Sequence, residues 1–309
     1  MTSIYSVAQS ASGMAIAACN AANSALKTGY TSLVTLQGMH SDILYAYNKT
    51  TKKVDVYQLS TQAPFVQLLI SGGTDLNLFA WDQLRSFVLG NKSYLMGYEK
   101  TKGNFGFYEV REDFSLSKPY TFSNMRSWPT QNFSEVSPFV ATGLMYVLGY
   151  DDAKGTVAIF SLDVISTSAG GVPPLNMLNV WYHQWAKGWE DFSFFQLGQS
   201  NFFFKINKAK LNVNIDHILD NPAAGTVEIG SYLQNQLPNA LDVTLACIIP
   251  WADGEPYLAT YDGKTYALNV YKIHADCQGW TQLNTATVMA STQMISYRIG
   301  NQSFVLLYS

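Results

Sequence analysis

One pattern recurs along this chain and restricts the folds open to it. A run of apolar residues ends in tyrosine, a short polar turn follows, and an alternating segment closes on aromatic-x-aliphatic. The clearest copy reads Tyr94-Leu95-Met96-Gly97-Tyr98, a turn with Gly103, then Phe107, Tyr108 and Val110. The anchor residue of each copy is Tyr47, Tyr98, Tyr150, Ile206, Tyr261 or Tyr308, at spacings of 51, 52, 56, 55 and 47 residues. Ten residues past the first five anchors stand Tyr57, Tyr108, Phe160, Asp216 and Tyr271. Twelve past stand Leu59, Val110, Leu162, Ile218 and Ile273. Only Ile206 breaks the tyrosine and only Asp216 the aromatic.

Alternation with a period of two, bounded by Gly and Asx turns, is strand chemistry. Each unit also holds an upstream strand (Gln83 to Leu89, Asp191 to Leu197, Gln293 to Ile299) and room for a fourth. Repeats of about 50 residues with four strands each are propeller blades. The expected architecture is therefore all-β: a six-bladed β-propeller of four-stranded blades, forming a single domain over 1–309. The sixth copy ends at Tyr308 without its second half. Ile4-Tyr5-Ser6-Val7 repeats the missing signature, so the N-terminal strand is expected to complete the last blade and close the ring.

Charge narrows the function classes. The chain has 309 residues, 13% of them charged, and a net charge of −3, against about 25% charged in average globular chains. No basic field of the kind nucleic-acid binders carry is present, and no apolar run is long enough for a membrane-spanning helix. The N-terminus lacks a basic n-region, the first lysine being Lys27, and reads as mature sequence rather than a signal peptide. Four N-x-S/T triplets, at Asn48, Asn91, Asn132 and Asn301, are a weak pointer to secretion. Cys19, Cys247 and Cys277 read as buried free thiols, with one disulfide as the alternative.

Counting back from the anchors locates the innermost strands and one rim of the central channel. Seventeen residues before them stand Tyr30, Trp81, Phe133, Trp189, Thr244 and Ser291. Fifteen before stand Ser32, Gln83, Glu135, Asp191, Ala246 and Gln293. Positions two apart share a strand face. Two readings of this rim stand side by side: aromatic packing between blades, or a pocket with aromatic walls and a few orienting polar groups. On the second reading Tyr30, Ser32, Trp81, Phe133 and Trp189 bind substrate. Gln83, Arg85 and Gln293 donate hydrogen bonds, and Glu135 and Asp191 transfer protons. Asp242 is a further carboxylate near the same rim. The four histidines (His40, His183, His217, His274) show no metal-ligand spacing, and no nucleotide, nucleophile-elbow or zinc motif occurs. Neither a metal nor a cofactor is expected. The Gly-, Pro- and Ser-rich stretch from Ser166 to Asn179 is a candidate lid.

The unit Phe87, Gly90, Tyr94, Leu95, Tyr98, Gly103, Phe107, Tyr108, Val110, echoed by Tyr297, Gly300, Phe304 and Tyr308, resembles repeats of bacterial and fungal lectin-like propellers. Length, six units and N-terminal closure are similar to fungal fucose-specific lectins. Some fungal natural-product cyclases, hetero-Diels–Alderases among them, look like lectin-derived propellers. The resemblance implies either a cyclase with a small, largely apolar substrate or a lectin with sugar sites between blades. It carries no residue roles, because the Arg, Glu and Trp set of the lectins does not recur here. A multivalent lectin repeats its site, whereas here the core positions recur and the rim positions differ. That asymmetry favours one unique site and a metal-free cyclase or pericyclase that holds its reactants near their reacting geometry. A lectin and a scaffold for protein partners remain the rivals.

Overall fold

A computed structural model describes all residues except 1, 11–12, 20–25, 37–40, 76–79, 118, 123–131, 142, 165–174, 222–225, 237–242, 252–254 and 278. The described residues form 24 strands and no helix, so no helix is long and apolar enough to cross a membrane. The strands make six four-stranded antiparallel sheets, the expected six-bladed propeller.

Blade 1 comprises β3 (Ser32–Thr35), β4 (Ile43–Asn48), β5 (Lys53–Leu59) and β6 (Val66–Asp75). Blade 2 is β7 (Gln83–Leu89), β8 (Lys92–Glu99), β9 (Asn104–Glu109) and β10 (Tyr120–Phe122). Blade 3 is β11 (Glu135–Ala141), β12 (Leu144–Asp151), β13 (Thr156–Val164) and β14 (Leu175–Gln184). Blade 4 is β15 (Glu190–Leu197), β16 (Ser200–Asn207), β17 (Asn212–Asn221) and β18 (Thr226–Gln236). Blade 5 is β19 (Val243–Ile249), β20 (Tyr257–Asp262), β21 (Ala267–Ile273) and β22 (Trp280–Thr287). Blade 6 joins the chain's two ends: β23 (Gln293–Ile299) and β24 (Gln302–Tyr308) pair with β1 (Thr2–Ser10), which pairs with β2 (Gly13–Ala18). Tyr5 lies opposite Val305, so the N-terminal signature closes the ring. Pairing with β1 covers the edge of β24 that would otherwise stand open.

The core is divided in the same way. Six clusters of buried apolar side chains each draw on two neighbouring blades, one cluster per junction. Burying each large side chain contributes about 1.5–3 kcal/mol, so the ring is held by its junctions.

The anchor tyrosines do a second job there. Tyr47 Oη accepts the amide N–H of Trp81 at 3.2 Å, Tyr98 Oη that of Phe133 at 2.9 Å, Tyr261 Oη that of Ser291 at 3.0 Å, and Tyr308 Oη that of Tyr30 at 2.9 Å. Each hydroxyl therefore caps the chain just before it enters the next blade's inner strand. Burial of these phenols pushes Tyr47 up to about 12 and Tyr98 higher still, so they stay protonated at neutral pH.

The aromatics seventeen residues before the anchors belong to this packing. Trp81 is 1% exposed and lies in the blade 1–2 cluster, with Nε1–H donating to Tyr108 Oη at 2.9 Å. A Cβ on Gly97 would sit 2.4 Å from the Trp81 ring and one on Gly106 2.6 Å from it, so glycine is required where β8 and β9 cross under the indole. Phe133, Trp189 and Tyr30 lie likewise in the blade 2–3, 3–4 and 6–1 clusters. Three cysteines are free thiols. Nine of the residues proposed from sequence as a lid, 166–174, and also Asp242 and His40, lie outside the described residues, while 175–179 fall in β14.

Candidate functional site

The six innermost strands enclose a central cavity of about 900 Å³. Of the ten site residues expected from sequence, Arg85, Glu135 and Asp191 line it. The other seven are elsewhere. Tyr30, Trp81, Phe133 and Trp189 are in the junction cores described above, so the aromatic wall is packing and not cavity lining. Gln83 and Gln293 stitch inner strands together. Gln83 Nε2 donates to Ser134 O and its Oε1 accepts the Val136 amide at 3.0 Å, and Gln293 Nε2 donates to Tyr30 O at 2.9 Å. Ser32 begins β3, opposite Tyr47, outside the cavity lining.

The three lining residues come from consecutive blades. Arg85 Nη2 meets Glu135 Oε2 at 3.1 Å. Asp191 Oδ2 accepts the Ala246 amide at 2.9 Å and takes Lys208 Nζ at 2.9 Å, while Lys208 also reaches Glu190 at 3.1 Å. The result is an arc of charge, Arg85–Glu135–Asp191–Lys208, across blades 2 to 4. Burial pushes the Glu135 carboxyl above the usual carboxylate range, partly offset by Arg85 and reinforced by the negative charge of Asp191. Burial likewise raises Asp191 against the pull of Lys208. Two half-buried neighbouring carboxyls, both raised in proton affinity, are a setting suited to general acid–base work.

Local backbone places Asp191. In blades 2 and 3 the residue fifteen before the anchor pairs with it in regular register, Gln83 with Tyr98 and Glu135 with Tyr150. In blade 4 Glu190 faces Ile206, and a bulge sets two residues, Asp191 and Phe192, against one before Ser193 meets Phe204. Asp191 takes a φ of +51° there, a left-handed conformation that Asp tolerates better than most residues. Bulges of this kind re-aim a side chain. Both bonds to Asp191 fall on Oδ2, which leaves Oδ1 for a ligand.

Lys208 was not foreseen, although lysine also follows the anchors by two residues at Lys49 and Lys100. Cys247, Ile248, Met294 and Ile295 also line the cavity, from inner strands whose sequences carry no polar signal. Burial raises the Cys247 thiol to about 12, so it is no nucleophile at neutral pH. Among the described residues no group of three or more His, Cys, Asp or Glu could hold a metal ion. His183 lies tilted against Trp181, His217 stacks on Phe202, and His274 bonds Thr281 at 2.8 Å.

No protein-family model matches the chain, and no curated protein matches it in sequence. Solved structures do match in shape. A candidate 6-phosphogluconolactonase from Bacteroides fragilis is 12% identical with a TM-score of 0.56, over 95% of this chain and 84% of that one. A second, from Bacteroides uniformis, is 12% identical with a TM-score of 0.55, over 95% and 85%. The luciferin-regenerating enzyme is 9% identical with a TM-score of 0.50, over 90% and 92%. At such identities the likeness is one of fold.

Proposed function

We propose that this chain is a small-molecule enzyme with one site, in the central cavity, working by general acid–base catalysis. The observation that carries the reading is the half-buried, non-repeating Arg85–Glu135–Asp191–Lys208 arc, of which Arg85, Glu135 and Asp191 line the cavity. Asp191, whose proton affinity burial raises and Lys208 and the Ala246 amide draw back down, is the base. Glu135, with a raised proton affinity, is the acid, and Arg85 stabilises negative charge that develops on a carbonyl oxygen. One proton leaves the substrate for Asp191 and one reaches it from Glu135, so the net change is an isomerisation or a ring closure. A cyclisation, the reaction class implied by the sequence resemblance, fits this balance: a hydroxyl adds to a conjugated carbonyl compound, its proton passes to Asp191, and the resulting enolate carbon takes the proton of Glu135. The named neighbours are enzymes by description, which agrees with this reading without specifying the reaction.

The lectin alternative places sugars between blades. The junctions at the anchors are filled by the tyrosine caps and buried aromatics, which favours the central cavity. The test is a turnover screen of hydroxylated carbonyl compounds, followed by Glu135→Gln and Asp191→Asn. Each substitution should lower kcat by about 10²–10⁴-fold with the fold intact by circular dichroism. Unchanged turnover in both variants would end the acid–base reading.

A further inference from the structure

The cavity has two unlike halves. The charged side chains of the arc come from β7, β11 and β15, in blades 2, 3 and 4. Across the ring, β19 and β23 present Cys247, Ile248, Met294 and Ile295. All four are partly exposed on the innermost strands and pack against the blade 4–5, 5–6 and 6–1 cores from the cavity side. Val34 and Leu36 of blade 1 extend that lining. The stretches 33–36, 246–249 and 294–297 hold no charged residue; the charged residues that line the cavity on this side, Glu255 and Arg298, lie beyond them in sequence.

An apolar wall left wetted on the inside of a closed ring is unusual, because the same residues packed inward would be stabilising. It becomes useful when a ligand covers it. The charged arc is the opposite case, since it offers a guanidinium and carboxyl oxygens to the polar end of a ligand.

We propose that the substrate is a neutral amphiphile. Its carbonyl or hydroxyl end sits on the Arg85–Glu135–Asp191 arc and its aliphatic or alicyclic body lies on the Cys247–Ile248–Met294–Ile295 wall. This rests on the reading of the cavity as an enzyme site and adds the substrate's class and orientation. A fully polar sugar would leave the wall bare, and a fully apolar molecule would leave the arc unpaired, which costs more than it returns.

The test is binding by the full chain of straight-chain methyl ketones with four to ten carbons, by competition with a neutral environment-sensitive dye. Affinity should rise steeply with length, with a ceiling of roughly fourfold per methylene. Ile295→Asp and Ile248→Asp should flatten that rise, whereas Glu135→Gln should leave the slope and weaken all members alike. If either aspartate variant fails to fold, Ile295→Ala, with a shallower slope, replaces it. Binding independent of chain length would overturn the proposal. A length-dependent affinity together with full turnover in Glu135→Gln would uphold it and overturn the acid–base assignment instead.

Discussion

Blades 2 and 4 occupy equivalent places in the ring and solve the same packing problem with opposite chemistry. In blade 2 the residue before the anchor is Gly97, the anchor is Tyr98, and ten residues further stands Tyr108. The Trp81 ring lies against Gly97 and Gly106 and bonds Tyr108. In blade 4 those three positions are Lys205, Ile206 and Asp216. Lys205 pairs with Asp216, both almost fully buried, and its Nζ lies 3.8 Å from the Trp185 ring centroid and 5.1 Å from that of Trp189. Burial drives Lys205 down and Asp216 up in proton affinity. The anchor hydroxyl that caps the next blade's entry is missing, since Ile206 has none. Blade 4 is also where the bulge turns Asp191 toward the cavity. The standard junction holds the ring, and the altered blade carries the feature that does not repeat.

The sharpest way to separate the two solutions is to unbalance blade 4. Asp216→Leu leaves Lys205 buried without its partner and should cost about 3–5 kcal/mol in urea denaturation. The double change Lys205→Met with Asp216→Leu should recover most of that loss, because a buried pair replaced by apolar groups of similar volume is often neutral. In blade 2, Gly97→Ala drives a methyl group into the indole and should cost about 1–3 kcal/mol. Removing one cap with Tyr98→Phe should cost about 1 kcal/mol. Blade 4, which has no such cap, offers no equivalent to lose.

The smallest effect concerns pH. Glu135 holds its proton more tightly in the folded chain than an ordinary glutamate. Its contribution to stability is therefore complete below the ordinary glutamate range, about 4.3, and declines as pH rises through the folded value. Glu135→Gln should accordingly match the parent in Tm at pH 3.5 and exceed it by a degree or two, at about 2–4 °C per kcal/mol for larger domains, at pH 7.5. An equal difference at both pH values would contradict the buried-charge account of this residue.

The fold was legible because propeller packing repeats: the same residue types return at the anchor, ten and twelve residues past it, and at the junction aromatics. The inner-strand bounds at Gln83, Gln293 and Leu197 follow from that repeat directly. The site was legible in part, for a geometric reason. Inner-strand side chains face the neighbouring blades and the strand edge faces the channel, so residues two apart on one face do not all reach the cavity. Arg85, Glu135 and Asp191 do, whereas Trp81 and Phe133 turn into the junctions. Two shifts in register disturb the count from the anchors, although it still reached Asp191. The bulge at Asp191 and another that sets Leu245, not Ala246, opposite Tyr261 each move the frame by one residue. The apolar wall carried no signal at all, since Ile248 and Ile295 read like any strand core.

The most direct measurement is a crystal structure of the chain soaked with a mixed panel of simple sugars and polycyclic natural products. A single ligand in the central cavity, with a polar atom in hydrogen-bond reach of Arg85 or Asp191 and its body against Ile248 and Ile295, is the expected result. Sugars bound repeatedly in the grooves between blades, with the cavity empty, would contradict it and make the chain a lectin.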